Sequence, residues 1–128
     1  MSYYFAKTLP VGFDEVLQRT RDALQKEGFG VITEIDVKRT FKEKLGIEFR
    51  NYRILGACNP SLALLALQID DKVGTMLPCN VVVQDAGEGR TEVAAIDPVA
   101  SMQAIDNLDL KEAAAELRGK LRNVIQNL

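Results

Sequence analysis

The only two cysteines of the chain each stand beside an asparagine at the boundary of an expected strand, in Cys58-Asn59-Pro60 and in Pro78-Cys79-Asn80. A thiol is a nucleophile, a soft-metal ligand and a redox centre, and a carboxamide both donates and accepts hydrogen bonds. If both boundaries lie at one end of a sheet, Cys58, Asn59, Cys79 and Asn80 form the expected ligand-binding site, with Cys58 and Cys79 as the expected ligands of a soft metal ion. Two thiolates do not complete a tetrahedral zinc site, so a metal would also need water, carboxylates or a second subunit. Cys58 precedes a helix start, where the positive helix end favours thiolate, whereas Cys79 shares a strand face with Val81 and Val83. The plain alternative is packing, since cysteine is among the most frequently buried residues.

Absence of histidine removes several chemistries outright. A hydrolase with a histidine base, a histidine-ligated metal, a haem with a proximal histidine and a histidine pH switch all need an imidazole. No GxGxxG and no Gly-rich loop ending in Gly-Lys-Ser/Thr is present, so the standard dinucleotide and P-loop signatures are missing as well. A formal charge of −2, with basic and acidic residues interspersed, argues against a nucleic-acid partner. No apolar run approaches the roughly 18 residues of a membrane span, and the start lacks a secretory pattern. A cytoplasmic setting with reduced thiols is therefore expected.

The remaining polar residues have simpler readings. Asn59 and Asp97 each precede a proline and are expected to cap helices. Asn80, early in a valine-rich strand, needs partners when buried, one of which a ligand could supply. Glu34 and Asp36 fall on one strand face at the spacing of a carboxylate pair or hard-metal site, although alternating carboxylates more often mark a solvated side. Lys38, Arg39, Lys42 and Lys44 read as the wet side of a short helix.

Positioning such a site requires a sheet. Tyr3 to Leu9 reads as a strand and Phe13 to Glu27 as an amphipathic helix stopped by Gly28. Val31 to Asp36 alternates as a strand, and Asp36 caps a helix from Val37 to Leu45 with Phe41 and Leu45 inward. Asn51 to Cys58 is a third strand, and Ser61 to Ile69 a leucine-rich helix expected to be buried on most sides. Cys79 to Gln84 and Thr91 to Ile96 are strands joined through Gly87-Glu88-Gly89, followed by a helix from Val99 to Ile105 and a longer one from Asp109. The explicit hairpin predicts an α+β fold in which a mainly antiparallel sheet of about five strands carries helices on one face. With 128 residues, 47% of them hydrophobic, residues 1–128 are expected to form a single domain.

The segments Tyr52-Arg53-Ile54-Leu55-Gly56-Ala57-Cys58-Asn59-Pro60 and Leu77-Pro78-Cys79-Asn80-Val81-Val82-Val83, with Asp97-Pro98, carry a likeness over nearly the whole chain. Together they resemble the bacterial and archaeal family catalogued as domain of unknown function 302, in its cysteine-bearing type. That resemblance implies a small α+β domain and no established activity.

Three functional classes follow. The first is a module that binds a small molecule or soft metal ion, or senses a redox change, at Cys58 and Cys79. The second is a structural or protein-interaction domain whose cysteines pack. The third is a cysteine-nucleophile enzyme without histidine, dependent on a helix N-terminus. No cofactor is indicated, and whether the protein is an enzyme is left open by the residues. A homodimer is expected, with Tyr3-Tyr4-Phe5 as an edge strand that a second copy covers. Cys58 ends one strand and Cys79 begins a later one, so antiparallel neighbours would bring their thiols together.

Overall fold

Capping side chains start four of the five helices in the computed structural model, which describes residues 2–128. Asp36, Asn59, Asp97 and Asn107 each accept a backbone N–H from the first turn of α2 (Val37–Leu45), α3 (Pro60–Ile69), α4 (Pro98–Ser101) and α5 (Leu108–Gln126). Helix α1 (Phe13–Lys26) starts at Gly12 without a side-chain cap and carries Asp14 and Glu15 against its positive end. It ends in a Schellman arrangement: Phe29 N–H bonds the Leu24 carbonyl at 2.9 Å and Gly28 N–H bonds that of Gln25 at 3.0 Å. Gly28 makes the turn possible at φ +84°.

Between the helices run β1 (Tyr4–Leu9), β2 (Gly30–Asp36), β3 (Tyr52–Cys58), β4 (Cys79–Gly87) and β5 (Arg90–Ile96). A 3-10 segment, Asp71–Met76, leads from α3 toward β4. The strands form one sheet in the order β1-β5-β4-β3-β2, and all four neighbouring pairs are antiparallel. The expected α+β architecture is the observed one. Glycines at positive φ, Gly87 and Gly89, close the β4–β5 hairpin with Glu88, also at positive φ, between them.

Alternation along these strands divides the sheet into two unlike faces. Leu55, Ala57, Cys79, Val81, Val83, Val93 and Ala95 are buried on one side and pack with Val16 and Leu24 of α1 and Leu117, Leu121, Val124 and Ile125 of α5. Each fully buried Val or Leu contributes about 1.5–3 kcal/mol, so this face carries most of the hydrophobic stabilisation. Beyond the end of the sheet, Ala66, Val73, Met102, Leu110 and Ala114 make a second, smaller core. On the opposite face Tyr4, Ala6, Ile54, Val82 and Ala94 keep solvent exposure, because no helix covers them, while Ile96 is partly exposed and also packs against the main core.

Three expectations fail here for identifiable reasons. Helix α3 is not buried on most sides: Leu64, Leu65 and Leu67 are 59%, 43% and 41% exposed, since it is Leu62, Ala66 and Ile69 that face the body. Leu45 is 65% exposed and not inward, because α2 buries none of its residues. Helix α4 stops at Ser101, short of Ile105, and Asn107 in place of Asp109 caps the last helix.

Two buried threonine hydroxyls are satisfied by backbone carbonyls. Thr20 Oγ1 donates to the Val16 carbonyl at 2.7 Å inside α1, and Thr91 Oγ1 donates to the Val11 carbonyl at 2.8 Å, tying β5 to the β1–α1 connection. Gly56 is a packing necessity: a Cβ there would collide with Thr33 Oγ1 and come within 2.7 Å of Pro78 Cγ. We expect Gly56→Ala to cost about 1–3 kcal/mol in urea denaturation, and Gly56→Ala/Thr33→Ala to recover only part of it because the proline ring stays.

Candidate functional site

Antiparallel pairing of β3 with β4 puts Ala57 opposite Cys79 and Gly56 opposite Asn80. The expected cysteine pair therefore does not form. Cys58 lies one residue beyond the Ala57–Cys79 pair, at the end of β3, so the two cysteines are offset and not cross-strand partners. Both thiols are free, Cys58 half-buried and Cys79 buried. Cys79 belongs to the core with Ala57, Leu62 and Leu117. Burial pushes its thiol up to about 11, with a smaller push in the same direction from Cys58. Without a metal or a base to take its proton, such a thiol stays protonated at neutral pH, which disfavours nucleophilic chemistry.

The space at this end of the sheet is equally unsuited to a ligand. The cavity bordered by Cys58, Asn59 and Cys79, with Met102, Leu110 and Leu117 behind them, has a volume of about 20 Å³. That is room for about one water molecule. Among the described residues no group of three or more His, Cys, Asp or Glu side chains is placed to hold a metal ion. Asn59 Oδ1 accepts Leu62 N–H at 3.3 Å and so caps α3. Asn80 points the other way and is exposed, because its strand neighbours Cys79 and Val81 take the covered face. Of the four residues expected to form one site, Cys58, Asn59 and Cys79 border this cavity, whereas Asn80 lies on the uncovered face.

Charged groups elsewhere on the covered side serve the fold. Arg53 reaches Glu34 at 3.4 Å and Asp36 at 3.3 Å, and Arg21 of α1 pairs with Glu34, so the two carboxylates of β2 are neutralised by arginines. Asp97, 4% exposed, accepts Val99 N–H at 3.0 Å with Oδ1, while Oδ2 faces Arg118 Nε of α5 at 3.3 Å. The buried Arg118 Nε has no aligned hydrogen bond, so charge attraction to Asp97 is what compensates its desolvation.

The larger concavity lies on the uncovered face. A groove of about 320 Å³ runs across β1, β5, β4 and β3, rimmed by Tyr3, Tyr4, Tyr52, Asn80, Gln84 and Glu92. Val82, Ala94 and Ile96 form its floor. Arg50 Nε donates to Gln84 Oε1 at 2.9 Å and Gln84 Nε2 donates to Glu92 Oε1 at 3.0 Å, a relay that fixes both groove side chains. The Arg50 guanidinium also lies 4.4 Å from the centre of the Phe49 ring and 5.7 Å from that of Tyr52. Of the expected site residues, Asn80 alone belongs to this groove. Tyr4, Tyr52, Gln84 and Glu92 were not singled out from sequence, although Val82, Ala94 and Ile96 gave a signal: a merely solvated face would not be apolar along its centre.

The family described as Domain of unknown function DUF302 matches residues 5–128. A crystal structure of an uncharacterized conserved DUF302 protein from Bacillus stearothermophilus superposes with a TM-score of 0.89 at 29% sequence identity, covering 98% of each chain. None of the curated proteins compared with the chain matches it. Among the described residues no helix is long and apolar enough to cross a membrane.

Two outcomes check this account of the polar groups. At pH 8, iodoacetamide should modify half-buried Cys58 first, with Cys79 reacting only on unfolding; because the folded pKa of Cys79 lies above its ordinary 9.0, stability should fall as pH rises from about 9 through 11, and Cys79→Ala should flatten that segment. In thermal or urea unfolding, Asn59→Ala should cost about 1 kcal/mol as a lost cap, and Asp97→Ala about 2–3 kcal/mol because it also strands the Arg118 charge.

Proposed function

We propose that this chain, which belongs to the DUF302 family, is a small-molecule-binding domain whose ligand lies across the uncovered face of its sheet. The observation that carries this reading is the groove itself: apolar along its floor, rimmed by three tyrosines, and furnished with the carboxamides of Asn80 and Gln84. Concave surfaces with an apolar lining and a few oriented polar groups are the common form of ligand sites.

The lining also indicates the chemical class. Tyrosine rings offer flat faces to an aromatic or sugar ring, and carboxamides recognise hydroxyl or amide groups. Among the described residues Glu92 is the only charged one of the rim, so a neutral or cationic ring compound suits the groove better than an anion. Glu92 is engaged by Gln84, and the chain contains no histidine, which favours a binding role over acid–base catalysis. A soft-metal or redox role for Cys58 and Cys79 has less support, given the water-sized cavity between them and the raised pKa of Cys79. Two free thiols suit a reducing compartment, which favours the cytoplasm as the setting.

Titration of isotope-labelled protein with adenosine, phenyl β-glucoside and tyramine, read by amide chemical shifts, tests the proposal. At least one probe should move the side-chain amides of Asn80 and Gln84 together with the backbone of Ala94. Asn80→Ala should weaken that probe about 3–10-fold through a lost hydrogen bond, while Cys58→Ser leaves it unchanged. Shifts confined to Cys58, Asn59 and Cys79, or none in the groove with any probe, would overturn it.

A further inference from the structure

A groove open to solvent along its whole length encloses little of a ligand, whereas small-molecule sites bury about 70–90% of theirs. Something must cover the face for the site to be complete, and three features of the chain bear on what does. The first is area. Five strands at a spacing of about 4.8 Å, all but the longer β4 of six or seven residues at about 3.3 Å, make a face of roughly 24 by 20 Å. Flat, this is about 500 Å², and the relief of its side chains brings it near the roughly 800 Å² that each partner contributes to a standard interface.

The second feature is composition. The centre of the face, Ile54, Val82, Ala94 and Ile96, is apolar and only partly covered, while tyrosines and carboxamides surround it. An apolar centre inside a polar rim is the anatomy of an association surface. The third is charge. Helix α2 and the segment to Arg50 form an arm beside the Tyr52 end of the face. It carries Lys38, Arg39, Lys42, Lys44 and Arg50 against only Glu43 and Glu48, in a chain whose net charge is −2, so the rest of the domain is acidic. The arm buries no residue of α2 in its own chain, and its Ile47 is 47% exposed. Each copy therefore carries both a basic arm and an acidic remainder, charges that a two-fold association could pair.

We infer that a second copy of this chain covers the uncovered sheet face, so that two sheets pack face to face, and the ligand groove becomes a cavity lined by Tyr52 and Asn80 of both copies. The enclosure of a ligand rests on the reading of the groove as a binding site; the association of the two faces does not. The exposed leucines of α3, Leu64, Leu65 and Leu67, are the competing surface. A ten-residue helix is only about 15 Å long and offers a narrower strip than the sheet.

Light scattering after size exclusion of the full chain, across a hundredfold range of concentration, tests the inference. The wild type should give twice the chain mass of 14.2 kDa. Val82→Glu and Ala94→Arg should each return a folded monomer by circular dichroism, and Leu64→Glu should leave the mass unchanged. Hydroxyl-radical footprinting of the wild type supplies a reading free of substitutions: Tyr4 and Tyr52 should become more reactive on dilution and Tyr3, at the rim, less affected. A wild type that stays at 14.2 kDa at every concentration overturns the inference, as does dissociation by Leu64→Glu with the dimer intact in Val82→Glu. Probe binding by a persistently monomeric protein would sink the face-to-face association and leave the ligand reading standing; a dimer that binds none of the three probes would do the reverse.

Discussion

Three strands meet at a backbone with no side chain. Thr33 of β2 and the Pro78 ring, just before β4, both lean onto Gly56 of β3, where any Cβ would be in their way. That contact ties the register of β2 to β3 and of β3 to β4, and a slip of one residue in either pairing would reverse which side chains face the core. With Gly56 opposite Asn80 and Ala57 opposite Cys79, the covered face receives Ala57 and Cys79 and the other receives Asn80. Where a thiol or a carboxamide can act thus follows from a steric fit between three residues that have no chemistry of their own.

Much of the architecture could be read from local signals, because those signals are local in origin. Asp36, Asn59 and Asp97 announce helix starts by bonding amides two or three residues away, and the glycine-flanked turn at Glu88 needs only its own backbone. The site was less legible because it depends on register. Cys58-Asn59 and Cys79-Asn80 do sit on neighbouring strands at one end of the sheet, but a one-residue offset separates the thiols, and no pattern in either segment fixes that offset. The valine neighbours of Asn80 leave its side ambiguous, and in a sheet covered on one side only, alternate positions of such a strand lie outside. The leucines of α3 did mislead: an all-apolar helix reads as buried, and tertiary context leaves three of them in solvent.

Stability and recognition are carried by different parts of the molecule. The covered face, α1 and α5 hold the apolar mass, and the arginines of α1, β3 and α5 neutralise the carboxylates that border it. The partly exposed pairs of Glu34 and Asp36 contribute little individually, whereas the Arg118 charge compensates a buried Asp97 carboxylate. On the other face the bonded chain from Arg50 through Gln84 to Glu92 holds polar groups in place above an apolar floor, an order that costs side-chain entropy and contributes nothing to the core.

The one-sided sheet has an evolutionary reading. Residues that alternate along a single strand answer to separate demands: Val81, Val83 and Ala95 to the integrity of the domain, Val82, Gln84 and Ala94 to whatever meets its outer surface. A change at one set scarcely disturbs the other, so the outer surface can drift toward new specificities while the backbone keeps its shape. A relative that differs at about seven positions in ten and still superposes over 98% of its length is what such a division of labour allows. The fold would then be best regarded as a chassis with an interchangeable panel, and the identity of the ligand as a property to be asked of each member in turn.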